Sequence, residues 1–83
     1  MEKIIFYGTP WCGDCQRSRQ LLIESDIKYE EINIDQDVEA AEKVIKLNKG
    51  FRSVPTIVFP DGTILVEPSN LELATKLAEY QTT

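Results

Sequence analysis

The sequence predicts an α/β domain, a mixed four-stranded sheet covered by three helices in the order βαβαββα. Three observations lead there. Short runs of β-branched and aromatic residues alternate along the chain with stretches of helical period. A strand–helix–strand unit at the start requires two parallel strands joined by a crossover. Pro60-Asp61-Gly62 then reads as a tight hairpin that makes the last two strands antiparallel. The 83 residues are expected to form one domain, 1–83, near the small end of what folds alone.

Taken in order, Lys3 to Tyr7 (KIIFY) is a buried strand ended by Gly8, Thr9 and Pro10. From Cys12 the pattern is helical. Cys15, Ser18 and Leu22 share one side with Leu21, Gln16, Arg17, Gln20 and Glu24 face water, and Asp26 closes the helix. Lys28 to Asn33 is the second strand, with Tyr29, Ile32 and the following Ile34 inward and Glu31 displaced by twist. Asp35 to Asp37 is an acidic cluster suited to the positive end of a helix dipole. Val38, Ala41, Val44 and Ile45 give that helix its apolar face, and Lys46, Lys49 and Gly50 stop it. Val54 to Phe59 and Thr63 to Val66 are the third and fourth strands. Ser69, three residues before Glu72, opens the last helix with a capping box; Leu73, Ala74, Leu77 and Ala78 form its inner face.

Composition removes several classes of function. Fourteen acidic against nine basic residues give a net charge of −5, the wrong sign for nucleic acid or an anionic membrane as main partner. Runs such as Ile64 to Val66 are far too short to span a bilayer, and residues 1–6 carry no stretch of signal-peptide length. A cytoplasmic location and a monomer are expected. There is no histidine, which removes imidazole catalysis and His-containing metal sites.

The chemistry lies in the two cysteines, Cys12 and Cys15, three positions apart. As a staple, a loop this short would restrain the unfolded chain by only about 2 kcal/mol. As a redox pair it is well placed at the carboxyl end of the first strand, the edge where open α/β sheets carry their chemistry. Cys12 sits where strand passes into helix, so first-turn N–H groups should face its sulfur and favour the thiolate, the nucleophilic form. Cys15, one turn in, should point to the packed face. Cys12 would attack an external disulfide, and Cys15 would then attack Cys12 to release the reduced substrate. Gly13 allows the tight turn and close approach of a substrate chain. A zinc site would need four ligands, which only a second copy of the chain would supply. Asp14 raises two opposed expectations. In the first turn of a helix a carboxylate contributes roughly 0.3–1 kcal/mol of stability. The same charge disfavours an anion on Cys12 to a degree set by their separation and solvation.

Pro55, in Ser53-Val54-Pro55-Thr56, has two readings: a trans proline opening a strand, or a cis bond that aims the backbone of Val54 at an extended substrate.

Together the element order, Trp11-Cys12-Gly13-Asp14-Cys15 and Val54-Pro55-Thr56 resemble the glutaredoxin family of the thioredoxin superfamily over essentially the whole chain. With FRSVPTIVFPDGT and a Pro-Ser before the last helix, the pattern is most similar to mycoredoxins and related glutaredoxin-like proteins. The resemblance implies a thioredoxin fold and a dithiol–disulfide oxidoreductase that reduces protein disulfides or mixed disulfides with small thiols. Cys12 would be the nucleophile, Cys15 the resolving thiol, Pro55 the cis residue and Val54 the residue that pairs with substrate. No cofactor is expected beyond a redox-active Cys12–Cys15 disulfide, with a low-molecular-weight thiol or a thioredoxin reductase as electron donor. Trp11-Cys12-Gly13 looks like thioredoxin. Two departures separate the chain from glutathione-using members: Thr9 stands where those carry a lysine, and Glu67-Pro68-Ser69-Asn70 where they carry a Gly-Gly. Trp11 is expected as a platform or shield beside Cys12. Arg52, with Lys49 second, is the cation expected to meet a substrate carboxylate, and Ser69 and Asn70 could hold a thiol's polar end. The competing class is an iron-sulfur or metal carrier that joins two copies through Cys12.

Overall fold

The structure is a computed structural model that describes residues 3–80; residues 1, 2 and 81–83, the ends of the expected 1–83 domain, lie outside the described residues. Strand β1 (Ile4–Gly8) leads into helix α1 (Gly13–Glu24), strand β2 (Tyr29–Asn33) and helix α2 (Val38–Leu47). Strands β3 (Thr56–Val58) and β4 (Ile64–Val66) follow, then helix α3 (Asn70–Leu77), which tightens into a 3-10 turn at Ala78–Tyr80. The sheet order is β2-β1-β3-β4, with β2 parallel to β1 and the other two pairings antiparallel. This is the predicted mixed four-stranded sheet with three helices.

Strand alternation sends side chains to both faces, and both faces are covered. Ile4 and Phe6 of β1 join Ile57, Phe59, Cys15, Leu22, Leu73 and Leu77, so α1 and α3 share one side. Tyr7 joins Ile34, Ala40 and Val44 on the other side, under α2. The second strand is therefore divided. Tyr29 packs with Phe6 on the α1 side, whereas Ile32 lies on the α2 side. Glu31, on the same face as Tyr29, is held there by Arg19, whose Nε and Nη2 donate to its two oxygens at 2.8 and 2.7 Å.

Three expected helical contacts are corrected. Val38 is 75% exposed because Asp37, the last acid of the expected cluster, caps α2 and leaves Val38 in its first turn; Ala40 takes the buried place. Ala74 and Ala78 face solvent, since α3 sends Leu73 and Leu77 into the core, followed by Tyr80, which stacks on Phe59. The strand expected over Val54–Phe59 is shorter, because Val54 and Pro55 form an irregular segment before the ladder begins at Thr56.

Turn chemistry fits its positions. Gly62, at φ +91°, completes the hairpin in which Phe59 N–H donates to Thr63 O at 2.8 Å. Asp61 of that turn accepts from Lys76 Nζ at 2.5 Å, and Lys76 lies over the Phe59 ring, so α3 is fastened to the hairpin. The Ser69–Glu72 capping box forms as expected.

Gly8, the last residue of β1, lies close against Cys15 of the cysteine helix. A methyl added there would stand 2.7 Å from Phe6 Cε1 and 3.1 Å from Cys15 Sγ, and both neighbours are fully buried. Gly8→Ala is expected to destabilise the chain by about 1–3 kcal/mol, the usual range for overpacking. Urea denaturation reads this directly, and an unchanged midpoint with unchanged slope would refute the steric account.

Candidate active site

The site is assembled where β1 ends and β3 begins. Cys12 is the N-cap of α1, with extended backbone (φ −81°, ψ 122°), and its Sγ accepts the Cys15 N–H at 3.2 Å. The expectation that a first-turn amide faces this sulfur is met. Cys12 is half-buried, Cys15 is fully buried, and no disulfide joins them. Burial pushes the Cys15 thiol up to about 12, and its interaction with Cys12 adds to this. The backbone N–H of Thr9 and the charge of Arg19 work the other way.

The Val54–Pro55 bond is cis. Of the two readings left open by the sequence, the cis one is observed. The Cys12 thiol lies 3.8 Å from the Val54 carbonyl oxygen, so these two expected site residues meet. The Pro55 carbonyl, in contrast, accepts the Glu67 N–H at 2.8 Å. The loop is held by a small hub that sequence reasoning missed. Asn48 Nδ2 donates to Val44 O and to Thr56 Oγ1, both at 3.0 Å, while Thr56 Oγ1 donates to Ser53 O at 2.7 Å. Thr56 is fully buried, so these bonds are made where losing one leaves a polar group unpaired.

Trp11 is 66% exposed, and its indole Nε1 donates to Asp35 Oδ2 at 2.7 Å. Arg52 Nη2 donates to the other oxygen, Asp35 Oδ1, at 2.6 Å. The carboxylate that Arg52 meets in this structure is thus supplied by the chain. Arg52 and then Trp11 hold the Asp35 carboxyl below the usual carboxylate range. Sequence reasoning assigned Asp35 to the start of α2. That explanation was sufficient for an acid before a helix, and only the closeness of three separate loops reveals the other role.

The aspartate between the cysteines has a comparable partner. Asp14 Oδ1 accepts from Arg17 Nη1 at 2.9 Å, and Arg17 Nε reaches on to Asn70 Oδ1 at 3.1 Å, linking α1 to the start of α3. Asn70 is therefore engaged by Arg17, and Ser69 by its capping box. Lys49 is exposed, with left-handed backbone (φ +57°), just past α2. Thr9 and Ser18 are fully buried, and their hydroxyl oxygens have no hydrogen-bond partner among the described residues. Among the described residues no group of three or more Cys, Asp or Glu side chains is arranged to hold a metal ion.

Comparison with known proteins agrees with this geometry. The sequence profile of the family described as Glutaredoxin matches residues 4–64. The chain is 40% identical over 78 residues to Mycoredoxin 1 of Corynebacterium glutamicum, covering 93% of this chain and 95% of that protein. It is 38% identical over 58 residues to the glutaredoxin-like protein NrdH of Lactococcus lactis, covering 70% and 78%. Among solved structures, the glutaredoxin of Archaeoglobus fulgidus superposes with a TM-score of 0.77 at 26% identity, covering 90% of this chain and 85% of that one.

Two outcomes follow from this geometry. Iodoacetamide at pH 8 should label the reduced, folded chain once, on Cys12, and should reach Cys15 only after unfolding. Label on Cys15 in the folded chain would contradict its burial. Removing Arg17 leaves the Asp14 charge without its counter-ion beside Cys12 and destabilises the reduced thiolate form. Arg17→Gln is therefore expected to make the couple more reducing by about 5–20 mV, the worth of an exposed ion pair. Equilibration in thiol–disulfide redox buffers measures this, and a shift of opposite sign would refute it.

Proposed function

The chain belongs to the glutaredoxin family, and on that premise we propose that it is a dithiol–disulfide oxidoreductase reducing protein disulfides or mixed disulfides between proteins and small thiols. The observation that carries this reading is the Cys12 sulfur, half-exposed on the N-cap of α1 and facing the Val54 carbonyl, with a buried second thiol one turn behind it. An N–H donor on the nucleophilic sulfur and an open approach to it are what a thiolate attacking a disulfide needs.

Cys12 thiolate attacks one sulfur of the substrate disulfide, and the other sulfur leaves and takes a proton. Cys15 then gives up its proton and attacks Cys12 Sγ, closing the Cys12–Cys15 disulfide and releasing the second substrate thiol. Two electrons have passed from the chain to the substrate. Val54, placed beside the sulfur by its cis bond to Pro55, offers backbone to an extended substrate, and Trp11 offers an exposed aromatic face next to it. Arg52 lies at the edge of this approach. The dithiol is restored by a low-molecular-weight thiol or a thioredoxin reductase, with no bound cofactor, and a single 1–83 domain working as a cytoplasmic monomer suffices for this. Among the described residues, no helix is long and apolar enough to cross a membrane.

Cys12→Ser should reduce turnover of a disulfide substrate to the uncatalysed rate. Cys15→Ser should leave Cys12 able to attack but not be released, so that mass spectrometry finds the substrate thiol attached to Cys12. Equal loss in both variants with no adduct at Cys15→Ser would overturn the assignment of roles.

A further inference from the structure

Two arginines stand near the cysteine pair, and each is already held by a carboxylate of the chain. Arg17 is paired with Asp14 at 2.9 Å, and Arg52 with Asp35 at 2.6 Å. The second pair is the more telling, because Asp35 has no part in capping α2, which Asp37 does. Its backbone N–H is fixed by Asn33 Oδ1 at 2.9 Å, and both carboxylate oxygens are used, one on Arg52 and one on Trp11. Three loops thus converge on one carboxylate: the one after β1, the one after β2 and the one before β3. Arg52 is two residues from Val54, whose carbonyl faces Cys12, and Trp11 adjoins Cys12. Trp11 and Phe51, 66% and 69% exposed, adjoin these charges with apolar surface.

A small thiol carrying carboxylates that came to Cys12 and sought Arg52 would have to displace Asp35. It would then lie beside the displaced anion, in a chain whose net charge is −5. An uncharged thiol meets neither cost. We propose that Asp35 is a specificity-determining residue that sets the thiol site against carboxylate-bearing thiols and in favour of uncharged ones, by occupying Arg52 and by its own charge. This rests on the disulfide-reduction reading above and adds to it the class of thiol that restores the dithiol. In that step one thiolate attacks Cys12 Sγ, the Cys12–Cys15 bond breaks, and Cys15 takes up a proton. A second thiolate attacks the small thiol's own sulfur in the mixed disulfide, so that a small-molecule disulfide forms, Cys12 is released and two electrons enter the chain.

The test uses the oxidised full chain and two probes, glutathione as the carboxylate-bearing thiol and 2-mercaptoethanol as the uncharged one, with reduction followed by the appearance of protein thiols. Asp35→Asn keeps the shape and an acceptor oxygen while removing the charge. It should raise the rate with glutathione by about fivefold, the worth of an exposed ion pair at its upper end, and leave the 2-mercaptoethanol rate within a factor of about two. Adding Arg52→Gln to Asp35→Asn should remove the part of that gain that comes from the freed guanidinium, leaving only the smaller part due to the lost repulsion. In the unmodified chain, added salt should raise the glutathione rate relative to 2-mercaptoethanol, and this salt effect should shrink in Asp35→Asn. Equal changes with both thiols, a gain undiminished by loss of Arg52, or a salt effect independent of Asp35 would each overturn the proposal. Substrate turnover is measured separately, so a chain that shows this thiol selectivity yet reduces no disulfide substrate fails the earlier reading and not this one.

Discussion

The first helix begins on a sulfur, and most of the site follows from that. A helix needs an acceptor for its first free N–H groups, a task usually given to the oxygen of Ser, Thr, Asp or Asn. Here Cys12 Sγ takes the Cys15 N–H. Sulfur is the weaker acceptor, and the neighbouring residues supply further support. Asp14 places a carboxylate in the first turn, where the helix dipole favours it. Gln16 Nε2 binds back to Pro10 O at 3.0 Å, and Arg19 Nη2 to Thr9 O at 3.4 Å, tying α1 to the chain that enters it. An acid between two cysteines thus has a structural reason, and its charge is paired with Arg17.

The same constraint explains why the opposite loop is built so firmly. A sulfur fixed by a helix cap has little freedom to follow its substrate, so the surface presented beside it must be equally fixed. Val54 and Pro55 lie outside the strand ladder and get no hydrogen bonds from it. The Asn48–Thr56–Ser53 bonds and the Glu67 N–H on Pro55 O take the ladder's place. They leave the Val54 carbonyl facing Cys12.

Much of the fold is legible in the sequence because each element carries its own period and its own stop. Ile4, Phe6, Leu22, Val44 and Leu73 are buried as their spacing requires. Errors arise where period alone is not enough. Ala74 and Ala78 continue a helical stripe, yet an eight-residue helix on one edge of the sheet has contact for only part of it. Tyr29 and Ile32 both read as inward and both pack against a core, but on opposite faces, which a sheet covered on both sides permits. In the site, the cysteine pair and proline are visible as local motifs. Asp35, Asn48 and Arg17 are not, because each has a partner 8 to 53 positions away, and Asp35 and Arg17 also had an adequate local explanation as helix start and solvated face.

Charge is distributed with the same economy. Arg17 and Arg52 are each matched by an aspartate, so the site has cationic groups without being a cationic site. Arg19 differs in kind. It is paired with Glu31, lies 5.6 Å over the Phe6 ring, and its charge is felt by Cys15. In the proposed mechanism Cys15 must ionise to attack Cys12, in a place where burial opposes its charge. The groups that ease this are the Thr9 N–H, in the loop that enters α1, and the guanidinium of Arg19, on α1 itself, which donates to Thr9 O. The Arg19–Thr9 contact therefore serves both the entry to the helix and the surroundings of the second sulfur.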